Sequence, residues 1–382
     1  MGKHRTFNAD RFLDKFQGKE PILRGYVGMW EGRLELDIAN LDIPRFKEFL
    51  VNGEGDGKGE LLDGLYRAYD LCTERGHEDL LAACRGWGKD PDPGEELPVE
   101  CLSLKIRTED EDAFSFAYDR NTLWRAESFS LFQGKEPKAI DDVPAAASRF
   151  QEKLAEVFKE DKNSDRVLVR QYREGPYTNF IVYHEKRTKA ELIFKGTKTR
   201  PKISPTILRP AQQDFISYNN ESGQIEIEAR FEKDEAILRK KFAECCLEDI
   251  DFFEGGEAGK RLDLARIGEE DFDMSVDEGH SAVLVDLQFK MKQLHAPSVA
   301  IRSKNVLDTL ERNNLRNQLA GSSICKAVFK IGFPDDRRGK RVDLSGTNKI
   351  KFKRATHAED VLAHRVIEWV DCDHFRSRAA CR

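Results

Sequence analysis

A change of hydrophobic period near residue 165 constrains the fold of this chain more than any other feature. Before it, apolar residues recur at three- and four-residue intervals, as in Phe12, Leu13 and Phe16, or Leu61, Leu62, Leu65, Tyr66 and Tyr69. That spacing lines one face of a helix. After it come RVLVRQY, TNFIVYH and AELIFKG, short runs rich in β-branched and aromatic residues and separated by turn formers. These read as strands. The sequence therefore predicts an α+β protein, a helical N-terminal region followed by antiparallel β-rich modules with packed helices.

Within the first region the spacing predicts a helix after an Asn8 cap. A second, opened by Pro44, carries Phe46, Phe49 and Leu50, and others run through Leu80 to Cys84, 110–131 and 144–160. Two stretches there read as extended. One is 22–39, a hairpin turned near Glu31-Gly32 with Leu34, Leu36 and Ile38 alternating; the other is CLSLKI at 101–106. The loop GKDPDPGEELP breaks the chain at 88–98. Further on, DFISYNNESGQIEIEARF predicts a hairpin, Glu232 to Leu247 an amphipathic helix, and HAEDVLAHRVIEWV a closing helix at 357–370.

A length of 382 residues suits two or three domains, and the period changes suggest boundaries. Residues 1–162 form a mainly helical domain with a small hairpin, 163–256 a central antiparallel sheet plus helix, and 257–382 a basic β-rich domain. An internal repeat in the last would match Phe289-Lys290 to Phe329-Lys330 and Asn305 to Asn348. The hexapeptide FQGKEP also occurs twice, at 16–21 and 132–137, but in flanks too different for a duplicated domain.

The net charge of −6 conceals four blocks of alternating sign. Residues 1–165 carry 24 basic and 35 acidic side chains, and 166–210 carry 11 and 3. Residues 211–280 carry 8 and 20, and 281–382 carry 20 and 11. Local fields, not the average, decide what such a surface attracts. In the last block Arg337, Arg338, Lys340 and Arg341 are read as a turn between two strands. Lys349, Lys351 and Lys353 alternate with Ile350 and Phe352, so a strand sends the lysines to one face. Such a row can track phosphates. A second basic stretch holds Lys186, Arg187, Lys189, Lys195, Lys198, Arg200 and Lys202. Tyr172, Tyr177, Phe180 and Tyr183 lie nearby, and aromatic side chains can stack on unpaired bases.

Catalytic signatures are missing. There is no G-x-S-x-G and no H-E-x-x-H, and in GEGDGKGE (53–60) Lys58 is followed by Gly59 where a phosphate-binding loop needs Ser or Thr. Asp286, Gln288 and Lys290, or Asp214, Glu226 and Glu228, offer loose acidic spacings for a metal nuclease. At the C-terminus Asp360 and His364 lie one helical turn apart, whereas His357 is ~10 Å along the axis from His364 and too far to share an ion. The spacing of Cys372, His374 and Cys381 fits no standard zinc module. No metal or cofactor is expected. The eight cysteines, Cys72, Cys84, Cys245 and Cys246 among them, read as reduced, buried thiols. No apolar run approaches the ~20 residues that span a bilayer, and the N-terminus carries no apolar signal region, so a cytoplasmic protein off the membrane is expected. The leading functional expectation is a non-catalytic nucleic-acid-binding subunit, contacting DNA or RNA and protein partners within a larger intracellular complex, of a kind used in prokaryotic antiviral defence. The alternatives are a divalent-metal-dependent nuclease and a protein-only scaffold subunit.

Overall fold

The computed structural model describes residues 7–86, 97–123, 127–162, 164–197, 200–255, 258–259, 262–270, 272–291, 295, 297–319, 322–334, 336–352 and 364–370. The chain divides into two compact units, Gly2–Arg125 and Ala126–Arg382. The fold is α+β, with a helical N-terminal region and a large antiparallel sheet.

The first unit is built from seven helices among the described residues: α1 (Ala9–Leu13), α2 (Glu20–Gly28), α3 (Ile43–Asn52), α4 (Lys58–Asp70), α5 (Glu74–Gly86), α6 (Val99–Glu109) and α7 (Glu111–Leu123). Their starts follow local chemistry. Asn8 caps α1 by accepting from the Arg11 amide, and Asp42 caps α3 by accepting from Arg45, with Pro44 in the first turn. Phe12, Phe16, Tyr26, Phe46, Leu65 and Phe114 meet in one core. Gly64 of α4 is fixed by close approach. A Cβ there would lie 2.2 Å from the Tyr26 hydroxyl and 2.6 Å from Arg107 Nε, so no larger residue fits.

Two extended readings are corrected here. Residues 22–28 are helical, because Pro21 starts the turn and Leu23, Tyr26 and Val27 bury one face at helical spacing. Leu34, Leu36 and Ile38 lie in the turns and bends that follow, partly buried against the core. CLSLKI lies in α6, which packs against α2, α4, α5 and α7. Cys101, Leu102, Leu104 and Ile106 are all buried. A helix buried on several sides loses the one-sided pattern that distinguishes it from a strand.

In the second unit a ten-stranded sheet runs in the order β2-β3-β6-β7-β1-β12-β11-β10-β8-β9. Its strands are β1 (Ser128–Gln133), β2 (Val167–Glu174), β3 (Tyr177–Glu185), β6 (Ala211–Asn219), β7 (Gln224–Glu228), β8 (Ser281–Lys290), β9 (Ser298–Arg302), β10 (Ser323–Phe333), β11 (Asp336–Ser345) and β12 (Lys349–Lys351). The third of the runs read as strands, AELIFKG, lies outside this sheet: β4 (Lys189–Thr197) and β5 (Arg200–Leu208) pair with each other as a separate two-stranded arm. One sheet thus spans both sides of residue 256. The two stretches aligned as a repeat each run strand, turn and strand, then diverge: Asn305 caps a helix, α10 (Val306–Arg312), whereas Asn348 sits in the turn between β11 and β12.

The two halves of the sheet bury opposite faces. Phe132, Phe180, Val182, Ile216, Tyr218, Ile225 and Ile227 pack with helices α8 (Val143–Lys162) and α9 (Glu232–Cys246), through edge-on rings of Phe150, Phe180 and Phe242. Phe129, Leu131, Ile350, Leu344, Val342, Phe329 and Leu287 pack instead with α10 and the helical residues 364–369. Leu131 and Phe132 are neighbours on one strand and so point to opposite faces. The α8–α9 face therefore continues beneath β12, β11, β10, β8 and β9 without belonging to their apolar core.

Candidate nucleic-acid interface

Strand parity decides what lies on that second face. Ile350 and Phe352 are 1% and 5% exposed in the core, so Lys349 and Lys351 point the other way. Register carries the set across the sheet: Lys351 stands opposite Asp343, Asp343 opposite Val328, and Arg341 opposite Lys330. Val328 in turn faces Asp286, and Asp286 faces Arg302. Lys326, Lys330, Arg341, Lys349, Lys351 and Arg302 therefore share one face with two acids, Asp286 and Asp343. Positions two apart on a strand are ~7 Å from each other, and neighbouring strands are ~4.8 Å apart.

Three of these cations, Arg302, Lys326 and Arg341, line a cleft of about 570 Å³ together with Val285, Asp286 and Ser303. Arg302 Nε donates to Asp286 Oδ2 at 3.0 Å. Asp286 is 5% exposed, and its Oδ1 has no hydrogen-bond partner among the described residues. Lys326 and Arg341 each stand 3.8 Å from an Asp343 carboxylate oxygen. Lys349 lies 2.8 Å from Glu232 at the start of α9. Three cationic heads border the cleft against one carboxylate in its lining, so it presents net positive charge to an incoming anion.

The residues chosen from sequence are distributed unevenly. Arg337, Arg338, Lys340 and Arg341 lie inside β11 and not in a turn. The turn is at the preceding proline, and Gly339 takes a positive φ of 64°, where a Cβ would meet Ile331 O at 2.7 Å. Lys340 pairs in register with the core residue Ile331, which sends it to the opposite face from Arg341. Lys353 and Lys198 lie outside the described residues. Lys186 and Arg187 stand at the base of the arm, where Arg187 Nη2 donates to Asp161 O. Arg200 pairs with Thr197 near the arm's tip. Of the aromatics near this stretch, Phe180 is fully buried in the core and Tyr183 accepts from Gln213 Nε2. Among the described residues, the arm exposes the apolar side chains of Leu192, Ile203 and Ile207.

Asp214 cannot join Glu226 and Glu228, because Glu228 pairs with Phe215 and Glu226 with Ser217, on the other face from Asp214. Asp214 instead meets His184, with Nε2 and Oδ2 2.8 Å apart. His364 contacts Glu226 Oε1 at 3.1 Å; Asp360, His357, Cys372, His374 and Cys381 lie outside the described residues. Lys58, in the glycine-rich stretch, donates to Gly53 O at the end of α3. Burial pushes the Cys101 thiol up to about 12 and raises Cys245 and Cys246 as well, so these thiols are not poised as nucleophiles.

Sequence reasoning missed Arg302, Lys326 and Asp286 as one group. They come from β9, β10 and β8, and only the pairing order brings them together. No protein-family model matches the chain, and no curated protein matches it.

Proposed function

We propose that this chain is a non-catalytic nucleic-acid-binding subunit of a larger cytoplasmic assembly, and that a phosphate backbone lies along the cationic face of β8–β12. The observation that carries this reading is the cleft in which Arg302, Lys326 and Arg341 surround a single lining carboxylate. Lys330 and Lys351 extend the same face across neighbouring strands. A flat array of cations set by strand spacing neutralises phosphates without reading bases, so binding is driven by counterion release. Partner proteins find support in the arm. A two-stranded ribbon is marginal by itself, and this one leaves Leu192 74%, Ile203 62% and Ile207 74% exposed.

The test is fluorescence anisotropy of the full chain with labelled single- and double-stranded DNA and RNA across a salt series. Log affinity should fall with log salt at a slope of ~0.7–0.9 per phosphate neutralised. The double variant Lys326→Glu, Arg341→Glu should lose at least ~tenfold in affinity and show a shallower slope. Absence of binding at low salt overturns the proposal, and so does an unchanged affinity in the variant.

A further inference from the structure

Beneath α8 and α9 the sheet closes over a second polar group, unrelated to the cationic face. His184 on β3 and Gln212 on β6 are direct cross-strand partners, and Asp214 lies two residues further along β6 on the same face. The first turn of α9 adds Asp234 from above. All four are sealed from solvent: His184 and Asp234 are 2% exposed, Gln212 and Asp214 1%. Phe158 of α8 lies against the imidazole with ring centroids 4.4 Å apart. His184 Nε2 meets Asp214 Oδ2 at 2.8 Å, and Gln212 Nε2 reaches Asp214 Oδ1 at 2.8 Å and Asp234 Oδ2 at 3.3 Å. One donor atom from each of His184, Asp214 and Asp234 lies within 4.8 Å of the others.

The group is rich in metal-ligating atoms, with two carboxylates buried beside one imidazole. The feature that points to a cation is Gln212, whose Oε1 is buried with no hydrogen-bond partner among the described residues, although its amide head lies between both carboxylates. Turning that amide over exchanges nitrogen for oxygen and brings a fourth donor to the two acids. Donor atoms around one ion at bond lengths of 2.0–2.2 Å stand ~3.4 Å apart, and those of His184, Asp214 and Asp234 already lie within 4.8 Å of one another.

We propose that His184, Asp214, Asp234 and Gln212 bind a divalent transition-metal ion as a closed structural site. One imidazole nitrogen with three oxygens and no sulfur suits Zn²⁺, Mn²⁺, Co²⁺ or Fe²⁺ better than the all-oxygen preference of Ca²⁺ or Mg²⁺. A neutral imidazole and two carboxylates balance the ion's charge. With four protein donors and no solvent opening, the ion's role is to pin the first turn of α9 to β3 and β6.

The experiment uses the full chain, purified without chelator or a metal-affinity column, and measures metal content by mass spectrometry. The protein is then stripped and titrated with Zn²⁺, Mn²⁺ or Co²⁺ by calorimetry and thermal melting. One equivalent bound per chain with a rise in melting temperature is expected, and Asp234→Asn should weaken binding by at least ~tenfold. X-ray absorption of the Zn²⁺-loaded wild-type chain needs no variant to fold. It should show only nitrogen and oxygen donors at ~2.0–2.1 Å and no sulfur at ~2.3 Å. A stripped chain that binds none of the three ions overturns the proposal, as does a sulfur shell, or unchanged affinity in a folded Asp234→Asn protein.

Discussion

Two clefts of similar size, one in each unit, are lined by arginines and acids and differ in how the charges are matched. The helical unit holds about 650 Å³ between Trp30, Arg33, Glu60, Asp63, Arg67, Arg107 and Glu111. There each cation has its own acid: Arg33 with Glu60 at 2.7 Å, Arg67 with Asp63 at 2.9 Å and Arg107 with Glu111 at 2.8 Å. On the sheet, Lys326 and Arg341 share Asp343, which Lys351 also faces in register. Two of the helical pairs are four residues apart along one stretch of chain, so local sequence supplies the partner. The sheet cations come from separate strands, and the acid nearest Arg341 in the chain, Asp343, is shared with Lys326 from the neighbouring strand. An internally neutral cleft stabilises its own walls; a cleft with surplus cations attracts an external anion.

The sharpest way to break this contrast is to remove the most buried guanidinium of the helical cleft. Arg107 is 9% exposed, lies 5.0 Å from the Phe114 ring and abuts Gly64. Arg107→Ala should lose its packing and its ion pair together, ~2–3 kcal/mol in urea unfolding of the full chain. Nucleic-acid affinity should stay within about twofold of wild type. A loss of affinity as large as that of the sheet-face double variant would show that the two clefts do not divide their roles in this way.

A smaller effect is expected at Arg302, which hydrogen-bonds Asp286 while Lys326 and Arg341 share Asp343. Arg302→Ala leaves Asp286 buried with neither oxygen paired, a cost of ~1–2 kcal/mol because the arginine itself is largely exposed and its pairing screened. Adding Asp286→Asn removes the stranded charge, so the double variant should recover part of that loss. Chemical denaturation of the four proteins gives the coupling directly. Strict additivity would mean that Arg302 does not compensate Asp286.

What could be read from sequence follows the same division between local and distant chemistry. The Asn8 cap, the proline-opened α3, the α9 helix and the alternation of Lys349 with Ile350 are all set by neighbours in the chain. The helical identity of CLSLKI was hidden because its burial comes from four other helices. FQGKEP makes the point most directly. At 16–21 it leads into α2, with Phe16 in the helical core; at 132–137 it leaves β1, with Phe132 under α8 and α9. The same six residues take two structures because their surroundings differ. The cleft of Asp286, Arg302 and Lys326, and the group of His184, Gln212 and Asp234, were illegible for that reason. Their members are brought together by strand order, which periodicity does not encode.

The smallest expected effect lies at Lys349, which is paired as the helical-cleft cations are. Its ammonium holds the Glu232 carboxyl below its ordinary value, through a hydrogen bond at 2.8 Å and their mutual attraction. A carboxyl depressed in the folded state stabilises the fold above its unfolded value of ~4.3, and that contribution disappears as pH falls through the folded value. Glu232→Gln should therefore melt slightly below wild type at pH 7, and the gap should close as pH falls through the depressed folded value. Because Glu232 is 85% exposed, the gap should also narrow in high salt. The same variant releases Lys349 for an external phosphate, so nucleic-acid affinity should rise by ~twofold at low salt while stability falls. A parallel fall in both would place Lys349 among residues that serve only the fold and would shrink the cationic face to its neighbours on β8–β11 and Lys351.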